Sequence, residues 1–140
     1  MNCSKASKRK IFRTVMNHLN AQKRPAVGCE GSCLYRHKVR GRVMTCAVGC
    51  LIPESKYNSS FEGNSIMASG EGTKTLRRVL GLGSEFLGPS DAEKLALLRS
   101  LQQLHDEGTD RLNKDGTFSL RYLKEGGQRI AKTFSIKIDL

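Results

Sequence analysis

The sequence predicts a small, single α+β domain, and three patterns carry that expectation. A helical stripe of apolar residues lies near the N-terminus, a glycine-centred hairpin pattern follows it, and a leucine-rich helical stripe occupies the second half. A chain of 140 residues and 15.5 kDa is one domain's worth of protein. Its 38% hydrophobic and 26% charged content fits a folded globular chain better than a disordered tail. With no Trp, five Phe and three Tyr, the interior must be filled by aliphatic side chains and Met.

The elements follow in chain order. Within residues 5–20, Ile11, Phe12, Val15, Met16 and Leu19 fall on one helical face, Ser4 or Ser7 can cap the start, and Lys8, Arg9, Lys10 and Arg13 form a basic edge opposite. His18 falls at the polar boundary and reads as a surface residue. Residues 21–31, broken by Pro25 and Gly28, read as a loop. Residues 33–52 read as a β-hairpin turning at Gly41, with Arg36, His37, Lys38, Arg40 and Arg42 clustered around the turn. Residues 54–72 are rich in Ser, Gly and Asn and predict an irregular connection, and a short helix is expected over 73–80. The glycines of residues 81–88 precede no suitably placed lysine, which excludes a phosphate-binding loop. A long helix is predicted from Ser90 to Glu107, with Ser90 and Glu93 as a capping box and Gly108 as its stop. His105 sits at the edge of its apolar face. A weaker helix over 119–131 and an alternating edge strand at the C-terminus, with Phe134, Ile136, Ile138 and Leu140 on one side, complete the expected helix–strand unit.

Charge divides the single domain into two parts. Of the net charge of +11, residues 1–53 carry +10, with 11 Lys/Arg against Glu30 alone, while residues 54–140 form a near-neutral helical remainder. A basic front of this kind predicts a polyanionic partner, either nucleic acid or an acidic protein surface. The helix edge (Lys8, Arg9, Lys10, Arg13) and the hairpin tip (Arg36, His37, Lys38, Arg40, Arg42) are the candidate contact residues. No apolar run reaches the roughly 18–20 residues needed to cross a bilayer, no secretory signal follows Met1, and a cytosolic protein without a membrane partner is expected.

Five cysteines are an odd number and do not read as a disulfide framework. Four of them form two pairs, Cys29/Cys33 and Cys46/Cys50, on either side of the hairpin, a spacing compatible with a structural zinc ion. The alternative is that these thiols are small buried hydrophobes. Cys46 or Cys33, with His105 and with Asp106 or Glu62, would supply the residue types of a thiol hydrolase, and Cys46, His105 and Asp106 are the catalytic candidates on that reading.

The segments Cys33-Leu34-Tyr35-Arg36, Cys46-Ala47-Val48-Gly49-Cys50-Leu51-Ile52-Pro53, Tyr57, Glu62-Gly63 and Leu101-Gln102-Gln103-Leu104-His105-Asp106 resemble a family of small proteins encoded by bacteriophages, prophages and some bacterial genomes. The resemblance spans roughly residues 8–107 and implies a phage-type origin more than any one activity. Its pattern has one Cys before the Tyr-Arg and one in the Cys-Ala-x-Gly, so Cys29 and Cys50 are additions of this chain. Tyr35, Arg36, Cys46, Gly49, Tyr57, His105 and Asp106 either line a shared pocket or hold the fold. With the charge pattern, the expected function is a non-enzymatic, phage-encoded binding protein acting in the host cytoplasm on nucleic acid or on a host complex that handles it, modulating transcription, defence or nucleases. The alternatives are inhibition of an acidic host protein or sequestration of a nucleotide signal, and then a thiol- or metal-dependent hydrolase.

Overall fold

The computed structural model describes residues 1–83 and 86–138, and it is an α+β domain of four helices and one two-stranded antiparallel hairpin. Helix α1 (Lys8–Gln22) starts where the Ser7 hydroxyl accepts the Lys10 amide, and it ends at Lys23, whose left-handed backbone lets its N–H return to the Leu19 carbonyl. Its apolar stripe buries Ile11, Phe12, Val15 and Leu19.

Strands β1 (Arg36–Val39) and β2 (Arg42–Thr45) pair from Arg36 opposite Thr45 to Val39 opposite Arg42. Arg40 and Gly41, both with positive φ, close them in a two-residue turn whose twist suits a hairpin. Short 3₁₀ turns at Gly49–Leu51, Glu54–Lys56 and Ser59–Phe61 lead to α2 (Glu71–Val79), so the Ser/Gly/Asn-rich connection is irregular as expected.

Helix α3 (Pro89–Gly108) is the centre of the domain, with Leu95, Leu97, Leu98, Leu101 and Leu104 buried, and α1 and α4 (Leu120–Thr133) pack against it. Gly126 permits the α3–α4 contact, because a Cβ there would lie 2.3 Å from the Leu104 side chain. The N-terminus is tied to this core: the Met1 amino group donates to Leu51 O at 2.7 Å, and buried Lys94 donates to Ser4 O at 2.7 Å.

Three local expectations are corrected. The helix start is capped by Gly88 with Pro89 in the first turn, so Ser90 lies inside the helix and Glu93 instead meets Lys8 Nζ at 2.5 Å. No strand forms over 134–138: α4 ends with Ser135 at φ 55°, and the Ile136 N–H turns back onto Ala131 O at 2.8 Å, burying Ile136 beneath the helix. Leu140 lies outside the described residues. His18 is half-buried, not a surface residue, because its Nε2 meets the carbonyl and hydroxyl of Thr45 at 3.0 and 2.9 Å and ties α1 to the root of β2. No helix is long and apolar enough to cross a membrane among the described residues.

Candidate functional site

Two features stand out, a basic hairpin tip and a cleft at the hairpin's root. The root is fixed first. The Glu62 carboxylate accepts the backbone N–H of Tyr35 at 2.8 Å, the N–H of Arg36 at 3.2 Å and the Tyr57 hydroxyl at 2.6 Å. Burial, reinforced by that carboxylate, pushes the Tyr57 hydroxyl up to about 12, so it remains a donor. Arg36 pairs with Glu54 and lies 5.4 Å from the Tyr57 ring centroid. On the other strand the Gln22 side chain bonds both the N–H and the carbonyl of Thr45 at 3.0 and 2.8 Å. Gly49 packs directly on this root, since a Cβ there would sit 1.9 Å from the Tyr35 carbonyl oxygen.

With the root held, the tip projects. Lys38, Val39, Arg40, Arg42 and Val43 are exposed, and the three cations make no ion pair among the described residues. His37 is half-buried and pairs across the hairpin with Met44. The candidate contact residues therefore separate by role. Arg36 and Lys8 have internal partners, Lys8 donating also to Phe134 O at 3.0 Å. Arg9, Lys10 and Arg13 line a shallow recess on the outer face of α1 with Ser7, Thr14 and Asn17.

The cleft, about 390 Å³, is lined by Cys33, Tyr35 and Cys46 on the hairpin side and by Arg99, Gln102 and Asp106 on α3, among others. His105 is fully buried behind it, its ring 5.7 Å from that of Phe118. Its Nε2 accepts the Ala26 N–H at 3.1 Å, which assigns the ring proton to Nδ1, 2.9 Å from Asp106 Oδ1. Gln102 completes the array, donating to the same Oδ1 at 2.8 Å and accepting the Val48 N–H at 3.0 Å. Burial by itself would raise the Asp106 carboxyl, but the hydrogen bonds from His105, Cys33 and Gln102 outweigh it and hold the group below the usual carboxylate range.

The thiols are separated in space. Cys33 lies beside Asp106, and burial together with that carboxylate pushes its thiol up to about 12. Cys46 is buried, with Gly49 N–H on its sulfur at 3.2 Å, and its thiol is also pushed up, chiefly by burial. Cys50 donates to Ala47 O at 3.1 Å and lies near Cys3, and Cys29 is exposed on a tight loop. Among the described residues, the group whose donor atoms all lie within 4.8 Å of one another is Cys33, His105 and Asp106, so only Cys33 of the four paired cysteines takes part. The order thiol, carboxylate, imidazole is also unlike an activated nucleophile, in which the imidazole adjoins the thiol. Here the carboxylate intervenes and raises the thiol.

Gln102, Arg99 and Asn64 also line the cleft, and none of them belongs to a spacing motif of the sequence. The Gln102–Asp106 pair was legible as an i, i+4 contact on a predicted helix, whereas the loop residues of the cleft carried no sequence signal. Comparisons with family models, curated proteins and solved structures give no match for this chain, and the site is read from its own geometry.

Proposed function

We propose that this protein is a non-enzymatic nucleic-acid-binding domain that uses its hairpin as a basic ribbon. The observation that carries this reading is the exposed tip, where Lys38, Arg40 and Arg42 stand without ion pairs among the described residues on a ribbon whose root is fixed by Glu62, Gln22 and His18. A two-stranded ribbon fits a nucleic-acid groove, and exposed Val39 and Val43 give it apolar surface beside the cations. Binding of this kind is dominated by phosphate contacts and counterion release. The raised Cys33 thiol and the occupied nitrogens of His105 favour binding over thiol catalysis. A phage-type origin would place the encounter in the host cytoplasm.

The test is fluorescence anisotropy with labelled DNA and RNA across a salt series, comparing the parent with Lys38→Gln/Arg40→Asn/Arg42→Gln. Asn is chosen at position 40 because it tolerates the positive φ of the turn. Each phosphate contact contributes about 0.9 to the log–log salt slope on B-DNA, so losing three such contacts should flatten the slope by nearly 3. Absence of binding at low salt, or an unchanged slope in a folded triple variant, refutes the proposal.

A further inference from the structure

The hairpin tip has a geometry more specific than a general affinity for polyanions. On the nucleic-acid reading above, on which this depends, we infer that the tip enters the major groove of B-form duplex DNA end-on, with Arg40 at the base edges and with Lys38 and Arg42 on the phosphates of opposite groove walls.

The register fixes which side chains share a face. Lys38 pairs with Val43 and Val39 with Arg42, and paired residues stand on the same face of a ribbon while successive residues alternate. One face of the tip therefore carries Val39 and Arg42, and the other carries Val43 and Lys38. Each side offers one exposed cation beside one exposed valine. Below this level both faces are committed to the root: Met44 is buried and His37 half-buried on the first, and on the second Arg36 holds Glu54 while Thr45 holds His18. A ribbon lying flat across a backbone would present its cations on one face. Cations on two opposite faces suit a slot with charge on both walls, which a duplex groove provides.

The apex supplies the reader. Arg40 and Gly41 make the turn at φ 49° and 79°, and because Gly41 has no side chain, Arg40 alone projects from it. A guanidinium in the major groove pairs with O6 and N7 of guanine, and valine methyls beside it match the C5-methyl of thymine. A guanidinium between the two walls also displaces counterions, so the salt dependence expected of the tip is unchanged.

Size selects the groove. The exposed part, from the Lys38–Val43 pair to the turn, reaches roughly 7–10 Å at about 3.3 Å per residue, against a major-groove depth of about 8.5 Å. Facing sheets pack about 10 Å apart, the thickness of one sheet with its side chains, so a groove about 12 Å wide admits the ribbon and one about 6 Å wide must be forced open. An RNA duplex closes its major groove to side chains. Single strands are held by stacking on aromatic rings, whereas the exposed apolar residues of the tip are Val39 and Val43.

The test uses a short DNA duplex with alternating guanine and thymine on one strand, and two copies in which guanine is replaced by 7-deazaguanine or by hypoxanthine. The first replacement removes the N7 acceptor from the major groove, and the second removes only the amino group in the minor groove. Fluorescence anisotropy with the full-length protein should show binding weakened about fivefold or more by 7-deazaguanine and left within about twofold by hypoxanthine. The RNA duplex of the same sequence and the separated DNA strands should bind more weakly than the DNA duplex. Arg40→Asn, folded by circular dichroism, should no longer distinguish guanine from 7-deazaguanine, while Lys38→Gln and Arg42→Gln should weaken both duplexes alike. Indifference to 7-deazaguanine, a loss with hypoxanthine as large as that with 7-deazaguanine, equal binding to the RNA duplex or single strands, or discrimination that survives Arg40→Asn overturns the groove assignment and leaves nucleic-acid binding standing. No binding to any of these probes at low salt overturns both.

Discussion

Removal of the Glu62 carboxylate is the sharpest probe of the hairpin root. The substitution Glu62→Ala deletes an acceptor shared by the Tyr35 amide, the Arg36 amide and the Tyr57 hydroxyl, at 2.8, 3.2 and 2.6 Å. A hydrogen bond to a charged group contributes about 1.5–3 kcal/mol. Glu62 is half-buried and water can re-solvate part of the set, so two bonds at the lower bound give a loss of about 3 kcal/mol. For a domain of this size the melting temperature falls by roughly 3–5 °C per kcal/mol, which predicts a drop of about 10 °C in thermal unfolding followed by circular dichroism. Glu62→Gln keeps a single carbonyl acceptor and should lose roughly half as much. Hydrogen exchange locates the effect, with the Tyr35 and Arg36 amides losing protection while the α3 amides keep theirs. A Glu62→Ala protein that melts within about 2 °C of the parent, with both amides still protected, would show that the clamp does not secure the hairpin.

Two further outcomes follow from the same contacts. Gly49→Ala places a Cβ 1.9 Å from a backbone oxygen that no side-chain rotation can move, so it should cost more than about 3 kcal/mol and reduce soluble yield, whereas an unchanged melting temperature would contradict the packing. Burial lowers His18 below its ordinary 6.5, and the Thr45 carbonyl offsets this only in part, so the unfolded chain takes up a proton that the folded chain resists. Stability is therefore full above pH 6.5 and falls as the pH drops below it, levelling once the folded group also titrates. A urea titration at pH 7.5 and at about 5.5 should show that loss in the parent and a smaller one in His18→Gln, and equal losses would refute the assignment.

The parts of the fold readable in advance are those whose determinants are local. The stripe from Ile11 to Leu19, the leucines from Leu95 to Leu104 and the Arg40–Gly41 turn each specify their own element through period or φ preference. At the start of α3 the miss is local, because Pro89 opens the helix ahead of Ser90 and Glu93, past the capping position, pairs instead with Lys8. Elsewhere a distant residue decides. The alternation from Phe134 to Ile138 fits a strand, yet no strand lies beside it among the described residues, and the backbone reversal at Ser135 sends Ile136 into the core. The cysteine pairs show the same limit. Their spacing is symmetric about the hairpin, but each sulfur's surroundings depend on what packs there: Asp106 beside Cys33, the Gly49 amide on Cys46, Cys3 near Cys50, and solvent at Cys29.

The positions of the two segments that flank the hairpin explain why a thiol cleft and a basic tip coexist. Cys33 to Arg36 enter the hairpin and Cys46 to Ile52 leave it, so both segments belong to its root, where Tyr35, Gly49 and Glu62 interlock. Changes there disturb packing and the cleft together. The tip between them, Lys38 to Val43, packs on nothing that the root requires, and its charge can vary without structural cost. The domain thus separates a constrained base from an adaptable end on one ribbon.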